Sequence, residues 1–241
     1  MATDPRVPEG SRVYAVGDIH GRADLLRRLH EEIVDDSRRG SPGHRIVIYL
    51  GDYVDRGPWS SDVIDLLVRE PLPGFTTTYL KGNHEDLLLE FLRDGTLAEM
   101  WLMNGGSETL ANYGIELSPL QWDPHALVSA RLRFREALGV NHLSFLRPLE
   151  ISHIEGDYLF VHGGLRPGVP LERQNERDLL WIRHEFIDHP FDFEKLIVHG
   201  HTITPRPEIE PHRIGIDTGA YYSGHLTCLV LEGAERRFLQ T

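Results

Sequence analysis

The sequence has few lysines, a single cysteine and no long apolar run, and each shortage excludes a class of protein. Cys228 is the one cysteine, so an internal disulfide cannot form, which fits a reducing compartment. No apolar run approaches the roughly 20 residues of a membrane-spanning helix. The opening residues, MATDPRVPEGSR, contain no apolar core of a signal peptide. We therefore expect a soluble, cytoplasmic protein that does not enter a membrane.

Positive charge is also scarce. Aspartate and glutamate number 37 against 25 lysines and arginines, giving a formal net charge of −12, and only two of the basic residues are lysine. A surface that binds nucleic-acid phosphates needs clustered basic residues, so we expect no nucleic-acid partner. The preference for arginine over lysine is typical of a GC-rich bacterial genome.

The first third of the chain alternates strand patterns with helix patterns. Short apolar runs indicate buried strands, and leucines at helical spacing indicate amphipathic helices. This alternation predicts parallel strands joined by helices that cover the sheet. The predicted strands are 12–16, 44–50 and 75–81, and the helices that follow them are 22–36, 60–70 and 85–94.

The rest of the chain has a different pattern. Residues 97–147 show short helical stretches interrupted by glycine and proline, and the remainder is rich in short strands with hairpin-like runs at the end. No linker or repeat divides the chain, so we predict one domain, 1–241, with a helical insertion at about 97–147. The predicted fold class is α/β (α+β): two packed β-sheets with helices outside.

Five polar clusters each follow an apolar run, at the predicted carboxyl end of a strand. In open α/β sheets, ligands bind beyond those ends. Each cluster alone is more typical of a turn or a helix cap, but neither explains the histidines or the recurrence at strand after strand. Imidazole and carboxylate together suit manganese, iron or zinc. The clusters are GDIHG (17–21), GDYVDRG (51–57), GNHE (82–85), VHGG (161–164) and VHGHT (198–202).

Two local geometries are expected at these clusters. Asp18 and His20 are two residues apart, so in extended backbone both side chains point the same way and could chelate one ion. Asn83 and His84 are neighbours, so in extended backbone they face opposite ways and could serve different tasks.

Taken in this order, the clusters resemble the signature of the phosphoprotein phosphatase family of calcineurin-like metallophosphoesterases, in its bacterial and phage branch. The similarity runs from Gly17 to about Thr202, with a weaker match at IDTGA (216–220). The resemblance implies a two-sheet β-sandwich flanked by helices in four layers, αββα. It also implies a binuclear metal centre, most simply two Mn²⁺ ions, with iron or zinc as alternatives.

The resemblance implies a role for each residue of the motifs. Asp52 would bridge the two ions, and Arg56 and Arg183 would bind the substrate phosphate. His84 would act as general acid, with Asp55 fixing its orientation and raising its pKa. The implied metal ligands are Asp18, His20, Asp52, Asn83, His162 and His201.

The function that the resemblance implies is phosphomonoester hydrolysis, most simply by a serine/threonine protein phosphatase acting on a phosphorylated protein or peptide. A hydroxide shared between the ions would attack phosphorus in line, without a covalent phosphoenzyme. One alternative with the same fold is a symmetrical dinucleoside tetraphosphate hydrolase, in which the second aspartate of GDYVDRG is missing. Another is a non-catalytic, metal-bound scaffold for phosphoproteins. The sequence leaves open the oligomeric state, the role of residues 97–147 and that of His199.

Overall fold

A computed structural model describes residues 4–40, 43–117, 122–189 and 193–241. Within these residues, ten strands form two five-stranded sheets. The strands are β1 (Ser11–Val16), β2 (His44–Tyr49), β3 (Thr76–Tyr79), β4 (Ser152–Glu155), β5 (Tyr158–Val161), β6 (Leu196–His199), β7 (Glu208–Ile209), β8 (Arg213–Gly215), β9 (Thr227–Glu232) and β10 (Glu235–Gln240).

The helices of the described residues connect and cover the sheets. A π-helical turn, Leu102–Gly106, joins α4 to α5, and α6 is interrupted at Gly139. The helices are α1 (Ala23–Ser37), α2 (Ser60–Arg69), α3 (Asn83–Arg93), α4 (Ala98–Trp101), α5 (Ser107–Asn112), α6 (Pro124–Leu146), α7 (Glu176–Trp181), α8 (His184–Ile187) and α9 (Ala220–Ser223).

Both sheets are mixed. In the first, the order is β10-β9-β1-β2-β3; β1, β2 and β3 run parallel, while β9 pairs antiparallel with β1 and β10. In the second, the order is β4-β5-β6-β8-β7, with β5, β6 and β8 parallel. The predicted fold class of two mixed sheets with helices outside is confirmed.

Alternation along the strands builds the layers. Val13 and Ala15 of β1 belong to the core between the sheets, together with Phe160 and Val198 of the second sheet. Tyr14, one residue along, belongs to the core between the first sheet and its helices. A third, smaller core covers the outer face of the second sheet. The order of layers is therefore helix, sheet, sheet, helix.

The three predicted strand–helix pairs are present, with most ends shifted by one or two residues. Between 97 and 147 the described residues form α4, the π-helical turn, α5 and α6, while residues 118–121 lie outside the described part of the chain. Three short helices, α7, α8 and α9, were not predicted. None of the helices among the described residues is long and apolar enough to cross a membrane.

Asp36 joins α1 to both ends of the chain. Its carboxylate Oδ2 accepts a hydrogen bond from Tyr14 Oη at 2.7 Å and one from Arg237 Nη2 at 2.6 Å. Its backbone carbonyl accepts from Arg12 Nη1 at 2.8 Å, and Arg12 also pairs with Glu232 at 2.7 Å. Because Asp36 and Arg12 are buried, a neutral replacement would leave donors without a charged acceptor.

We expect Asp36→Asn to lower the free energy of unfolding by about 1–3 kcal/mol, since it weakens two buried hydrogen bonds to a charged group. Urea unfolding followed by circular dichroism measures the change. Asp35→Asn is the matched control: Asp35 is exposed and pairs with Arg38 at the surface, so its effect should stay within about 0.5 kcal/mol. Equal effects of the two substitutions would contradict this role for Asp36.

Candidate metal centre and active site

The loops that follow β1, β2, β5 and β6 meet the first turn of α3 at one edge of the two sheets. Asp52 lies at the centre. Its Oδ2 is 3.4 Å from His20 Nε2, 3.4 Å from His162 Nε2 and 3.8 Å from His84 Nε2. All four side chains are buried. The structure thus brings residues from four separate sequence clusters within a few ångströms of one carboxylate oxygen.

Two groups of side chains could each hold a metal ion, and Asp52 belongs to both. One group is His20, Asp52 and His84, and the other is Asp52, His162 and His201; within each, the potential ligand atoms lie within 4.8 Å of one another. The first group contains His84 where the sequence-based assignment has Asp18.

Asp18 and Asn83, the other two expected ligands, lie against these groups. Asn83 Oδ1 is 2.9 Å from His162 Nε2. The Asp18 carboxylate accepts the backbone N–H of His201, at 3.2 Å to Oδ1 and 3.1 Å to Oδ2. All six residues expected to bind metal are therefore gathered at one place.

The surroundings of His20 suit a cation. His20 Nδ1 is 2.8 Å from the Val54 carbonyl, to which it can only donate. Burial lowers the pKa of His20 well below its ordinary value, with the positive charge of Arg56 acting in the same direction, so the ring is neutral. Its Nε2 is then a lone pair facing the Asp52 carboxylate, with no hydrogen-bond partner among the described residues. A cation between these two acceptors would turn an unfavourable contact into a favourable one.

The two carboxylates have opposite pKa shifts. Burial acts to raise the pKa of Asp52, but His162, whose own pKa is raised beside this carboxylate, outweighs it, so the pKa of Asp52 lies well below its usual range. Burial raises the pKa of Asp18, and the negative charges of Asp217 and Asp52 raise it further. Asp52 is therefore the anion at the centre, and a cation would be needed to keep Asp18 ionised beside it.

Two glycines of the motifs are required by the closeness of these carboxylates. A Cβ on Gly82, in GNHE, would lie 2.0 Å from Asp52 Oδ1, and a Cβ on Gly200, in VHGHT, would lie 2.1 Å from Asp18 Oδ1. Any side chain at either position would displace a carboxylate from the centre. The glycines in these clusters thus serve close approach to the site.

The expectation of extended backbone at the ligands is wrong. Every non-glycine residue with positive φ in the described part of the chain belongs to this site, so the clusters lie in tight, strained turns beyond the strand ends. These residues are His20 (φ 45°), Asp52 (52°), Asp55 (70°), Arg56 (66°) and His201 (61°). Asn83 and His84 are the first two residues of α3, so they diverge by the rotation between successive helical residues and not by strand alternation.

His84 and Asp55 form a buried pair, with His84 Nδ1 2.7 Å from Asp55 Oδ2. Burial lowers the pKa of His84 to about 4, with Asp52 opposing and Arg56 reinforcing the shift. The pKa of His84, which was expected to be raised, is therefore lowered, and burial is the cause; the contribution of Asp55 itself stays a prediction. The hydrogen bond to Nδ1 leaves Nε2 directed at Asp52, buried and without a hydrogen-bond partner in the described residues.

Glu85 has a role that the sequence reasoning missed. It lies in the first turn of α3, as expected, and it returns to the Gly82 N–H at 3.0 Å. Its carboxylate also accepts the backbone N–H groups of Asp52 at 2.8 Å, Tyr53 at 2.8 Å and Val54 at 3.3 Å. Glu85 thereby fixes the strained turn that carries Asp52.

The two arginines expected to bind phosphate border the site. Arg183 donates to the His201 carbonyl at 2.6 Å, which holds its guanidinium beside the second group. Arg56 lies over the ring of Tyr221, with Cζ 5.0 Å from the ring centroid, and the same ring contacts His20 at 5.6 Å between centroids. Tyr221 was missed, although the weak similarity at 216–220 ends one residue before it.

His199 and Asp217 have different relations to the site. His199 is buried against Phe186, with ring centroids 5.1 Å apart, and packs on Gly215. Asp217, which the sequence reasoning did not select, lies beside Asp18 and accepts the Gly219 N–H at 2.9 Å.

A cleft of about 640 Å³ lies beside α3 and α7, and none of the six expected metal ligands lines it. Leu97, Met100, Leu180 and Trp181 supply its apolar wall, and charged residues of α3 and α7 border it. Trp181 connects the cleft to the centre, because its carbonyl is 3.3 Å from His201 Nε2. The cleft gives room for a substrate larger than phosphate itself.

Comparison with known proteins agrees with this geometry. The calcineurin-like phosphoesterase family matches residues 11–227. Serine/threonine-protein phosphatase 2 of Escherichia coli K12 is 42% identical over 227 residues, which cover 89% of this chain and 90% of that protein. The asymmetrical bis(5'-nucleosyl)-tetraphosphatase PrpE of Halalkalibacterium halodurans is 29% identical over 232 residues, or 89% of this chain and 87% of that protein.

Solved structures show the same fold. The cold-active protein-tyrosine phosphatase of a psychrophilic Shewanella species aligns with a TM-score of 0.57 at 17% identity, over 98% of this chain and 83% of that one. The predicted family is confirmed by the extent of the family match and by the identity to the Escherichia coli protein. This chain belongs to the calcineurin-like phosphoesterase family and is a metallophosphoesterase, an enzyme that hydrolyses phosphate esters.

Proposed function

We propose that the enzyme hydrolyses phosphomonoesters of serine and threonine in proteins. The observation that carries this proposal is the His84–Asp55 pair at 2.7 Å, buried beside the carboxylate of Asp52. An alkoxide of serine or threonine leaves only with difficulty unless a proton reaches it, so such substrates need a general acid at this position. The identity of 42% to a serine/threonine-protein phosphatase supports the same substrate class.

We assign the metal ligands as two overlapping sets, with Asp52 shared between them. Asp18 and His20 complete one set, and Asn83, His162 and His201 complete the other. The mixture of carboxylate, amide and imidazole suits two divalent ions such as Mn²⁺, with iron or zinc as alternatives. Bound there, the ions supply Lewis-acid activation of the attacking water and balance the charge of the phosphoryl group.

The remaining side chains orient the ester and assist its departure. The guanidinium groups of Arg56 and Arg183 bind phosphate oxygens, which their planar donors match in geometry. The negative charge of a bound phosphate ester opposes the effect of burial on the pKa of His84. In its protonated form, His84 donates from Nε2 to the leaving oxygen while its Nδ1–H donates to Asp55. The apolar wall of the 640 Å³ cleft receives the part of the protein substrate next to the phosphorylated residue.

A second candidate is hydrolysis of dinucleoside tetraphosphates, favoured by the relatives named for that activity. Those relatives are named asymmetrical, whereas the sequence pointed to the symmetrical enzyme as the alternative. Asymmetrical cleavage of diadenosine tetraphosphate would release ATP and AMP, and symmetrical cleavage would release two molecules of ADP. The products therefore separate the two nucleotide activities from each other and from phosphomonoester hydrolysis.

We expect Mn²⁺-dependent release of phosphate from phosphoserine and phosphothreonine peptides, with little product from diadenosine tetraphosphate. A panel assay that measures phosphate, ADP, ATP and AMP under the same conditions tests this. A preference for the dinucleotide, with either product pattern, would contradict the proposed substrate. Absence of turnover with Mn²⁺, Fe²⁺ or Zn²⁺ would indicate the non-catalytic scaffold.

His84→Asn should lower kcat by about 10²–10⁴-fold for a phosphoserine peptide, because the leaving alkoxide loses its proton donor. The loss should be much smaller for p-nitrophenyl phosphate, whose leaving group departs without a proton. Steady-state kinetics with both esters measure the difference, and His125→Asn, at an exposed position, is the control. An equal loss for both esters would show that His84 is not the acid.

Asp52→Asn should remove at least one of two bound Mn²⁺ ions and weaken the binding of the other by more than about 100-fold, since the shared carboxylate contributes to both sets. Titration calorimetry of metal-free protein, together with metal analysis after dialysis, measures the stoichiometry and affinity. Asp62→Asn, at the exposed start of α2, should bind as the wild type does. Retention of two tightly bound ions by Asp52→Asn would overturn the ligand assignment.

A further inference from the structure

The carboxylate of Asp55 accepts hydrogen bonds from three side chains, and two of them belong to residues 101–109, which we call the clamp segment. Trp101 Nε1 donates to Oδ2 at 3.0 Å, the same oxygen that lies 2.7 Å from His84 Nδ1. Thr109 Oγ1 donates to Oδ1 at 2.6 Å and accepts the Asp55 N–H at 2.9 Å. All four residues are fully buried. Both oxygens of Asp55 are thus held by donors of the clamp segment.

The clamp segment reaches Asp55 twice because it is not a straight helix. Eight residues of α-helix would separate Trp101 and Thr109 by about 12 Å along the axis. The π-helical turn Leu102–Gly106, with Gly105 at φ 103°, bends the chain between them. Both side chains therefore reach the same carboxylate.

Trp101 is fixed by its own packing. Its ring centroid lies 4.7 Å from that of Phe91 and 5.5 Å from that of Phe134. A Cβ on Gly106 would lie 2.5 Å from Trp101 Cδ2, so the segment packs directly on the indole face. The indole N–H has little freedom to turn away from Asp55.

The same segment also supports the turn that carries Arg56. Asp55 and Arg56 both have positive φ, 70° and 66°, which costs conformational energy for residues with a side chain. The carbonyl of Gly105 accepts the Arg56 N–H at 3.4 Å, and a Cβ on Gly105 would lie 2.5 Å from that nitrogen. The clamp segment thus contacts both strained residues.

We propose that Trp101 and Thr109 are positioning residues for the His84–Asp55 pair: they fix the Asp55 carboxylate so that His84 can hold only the orientation in which Nε2 faces the substrate. The inference rests on the proposed function, in which His84 is the general acid and Asp55 orients it. Burial raises the pKa of Asp55, and the hydrogen bonds from Thr109 and Trp101 act against that shift, so the two donors favour the ionised carboxylate that an imidazole N–H needs as partner. The proposal also gives a role to residues 101–109 within the helical segment 97–147.

The test compares two esters in four variants of the full-length, Mn²⁺-loaded enzyme. Trp101→Phe removes the indole N–H and keeps an aromatic ring in the core, while Thr109→Val removes the hydroxyl and keeps the shape. Each should lower kcat for a phosphoserine peptide by about 10- to 100-fold, the loss of one hydrogen bond to a charged group, with KM and Mn²⁺ affinity unchanged. For p-nitrophenyl phosphate, kcat should change by less than about twofold, because this leaving group needs no acid.

Trp122→Phe is the matched control. Its indole N–H is buried without a hydrogen-bond partner among the described residues, so this change should leave both rates as in the wild type. The fourth variant, His84→Asn, is also combined with each clamp substitution. In these double variants, Trp101→Phe and Thr109→Val should not lower kcat further, because the effects of residues that act as one unit are not additive. Thermal unfolding checks that each variant is folded at the assay temperature.

The outcomes separate the inference from the function it rests on. If His84→Asn lowers kcat equally for both esters, His84 is not the general acid, and the positioning role of Trp101 and Thr109 is overturned as well. Suppose instead that His84→Asn lowers kcat for the peptide selectively. If the clamp variants then lower kcat equally for both esters, or for neither ester, only the positioning role is overturned. Further losses in the His84→Asn background would likewise show that Trp101 and Thr109 act elsewhere.

Discussion

The Asp52 carboxylate, buried and surrounded by imidazole nitrogens, is the constraint on which the rest of the site depends. An ionised carboxylate without water is costly, and neutral imidazoles that face it with lone pairs increase the cost. His20 is in that arrangement, because its Nδ1 can only donate to the Val54 carbonyl. The protein therefore places acceptors around a space that a cation would stabilise, and binding there would contribute to stability as well as to catalysis.

The scaffold maintains this arrangement through backbone contacts. Glu85 uses its carboxylate on four N–H groups, three of them in the turn that carries Asp52. Gly82 and Gly200 allow the carboxylates of Asp52 and Asp18 to approach backbone from other strands. Among the described residues other than glycine, positive φ occurs only at positions of this site, whereas the central strands behind them, β1, β5 and β6, are buried along their whole length. The regular strands thus hold the strained turns in place.

The sequence predicted the strand ends and the gathering of polar clusters because both depend on local patterns: apolar runs, helical spacing and glycine-flanked acids. It wrongly predicted extended backbone at two pairs of residues, Asp18 with His20 and Asn83 with His84. Positive φ at His20 and a helix that begins at Asn83 are decided by tertiary contacts. Tyr221, Asp217 and the task of Glu85 were missed for the same reason. Trp101 and Thr109 lie in a stretch that reads as a helical cap, and no spacing rule predicts that a π-helical turn brings both to one carboxylate.

The position of the clamp segment bears on how one scaffold serves different substrates. Relatives named for protein phosphatase and for dinucleoside tetraphosphatase activity both align with about nine-tenths of this chain, so similarity along the chain cannot decide between their substrates. A phosphomonoester of serine has a poor leaving group, whereas cleavage within a tetraphosphate releases a phosphate that is already a weak base. Dependence on a general acid therefore differs between the two reactions more than dependence on the metals does. Parts of the chain that hold Asp55 against His84, such as Trp101 and Thr109, are where selection for the harder leaving group would act, and in this chain both oxygens of Asp55 accept a hydrogen bond.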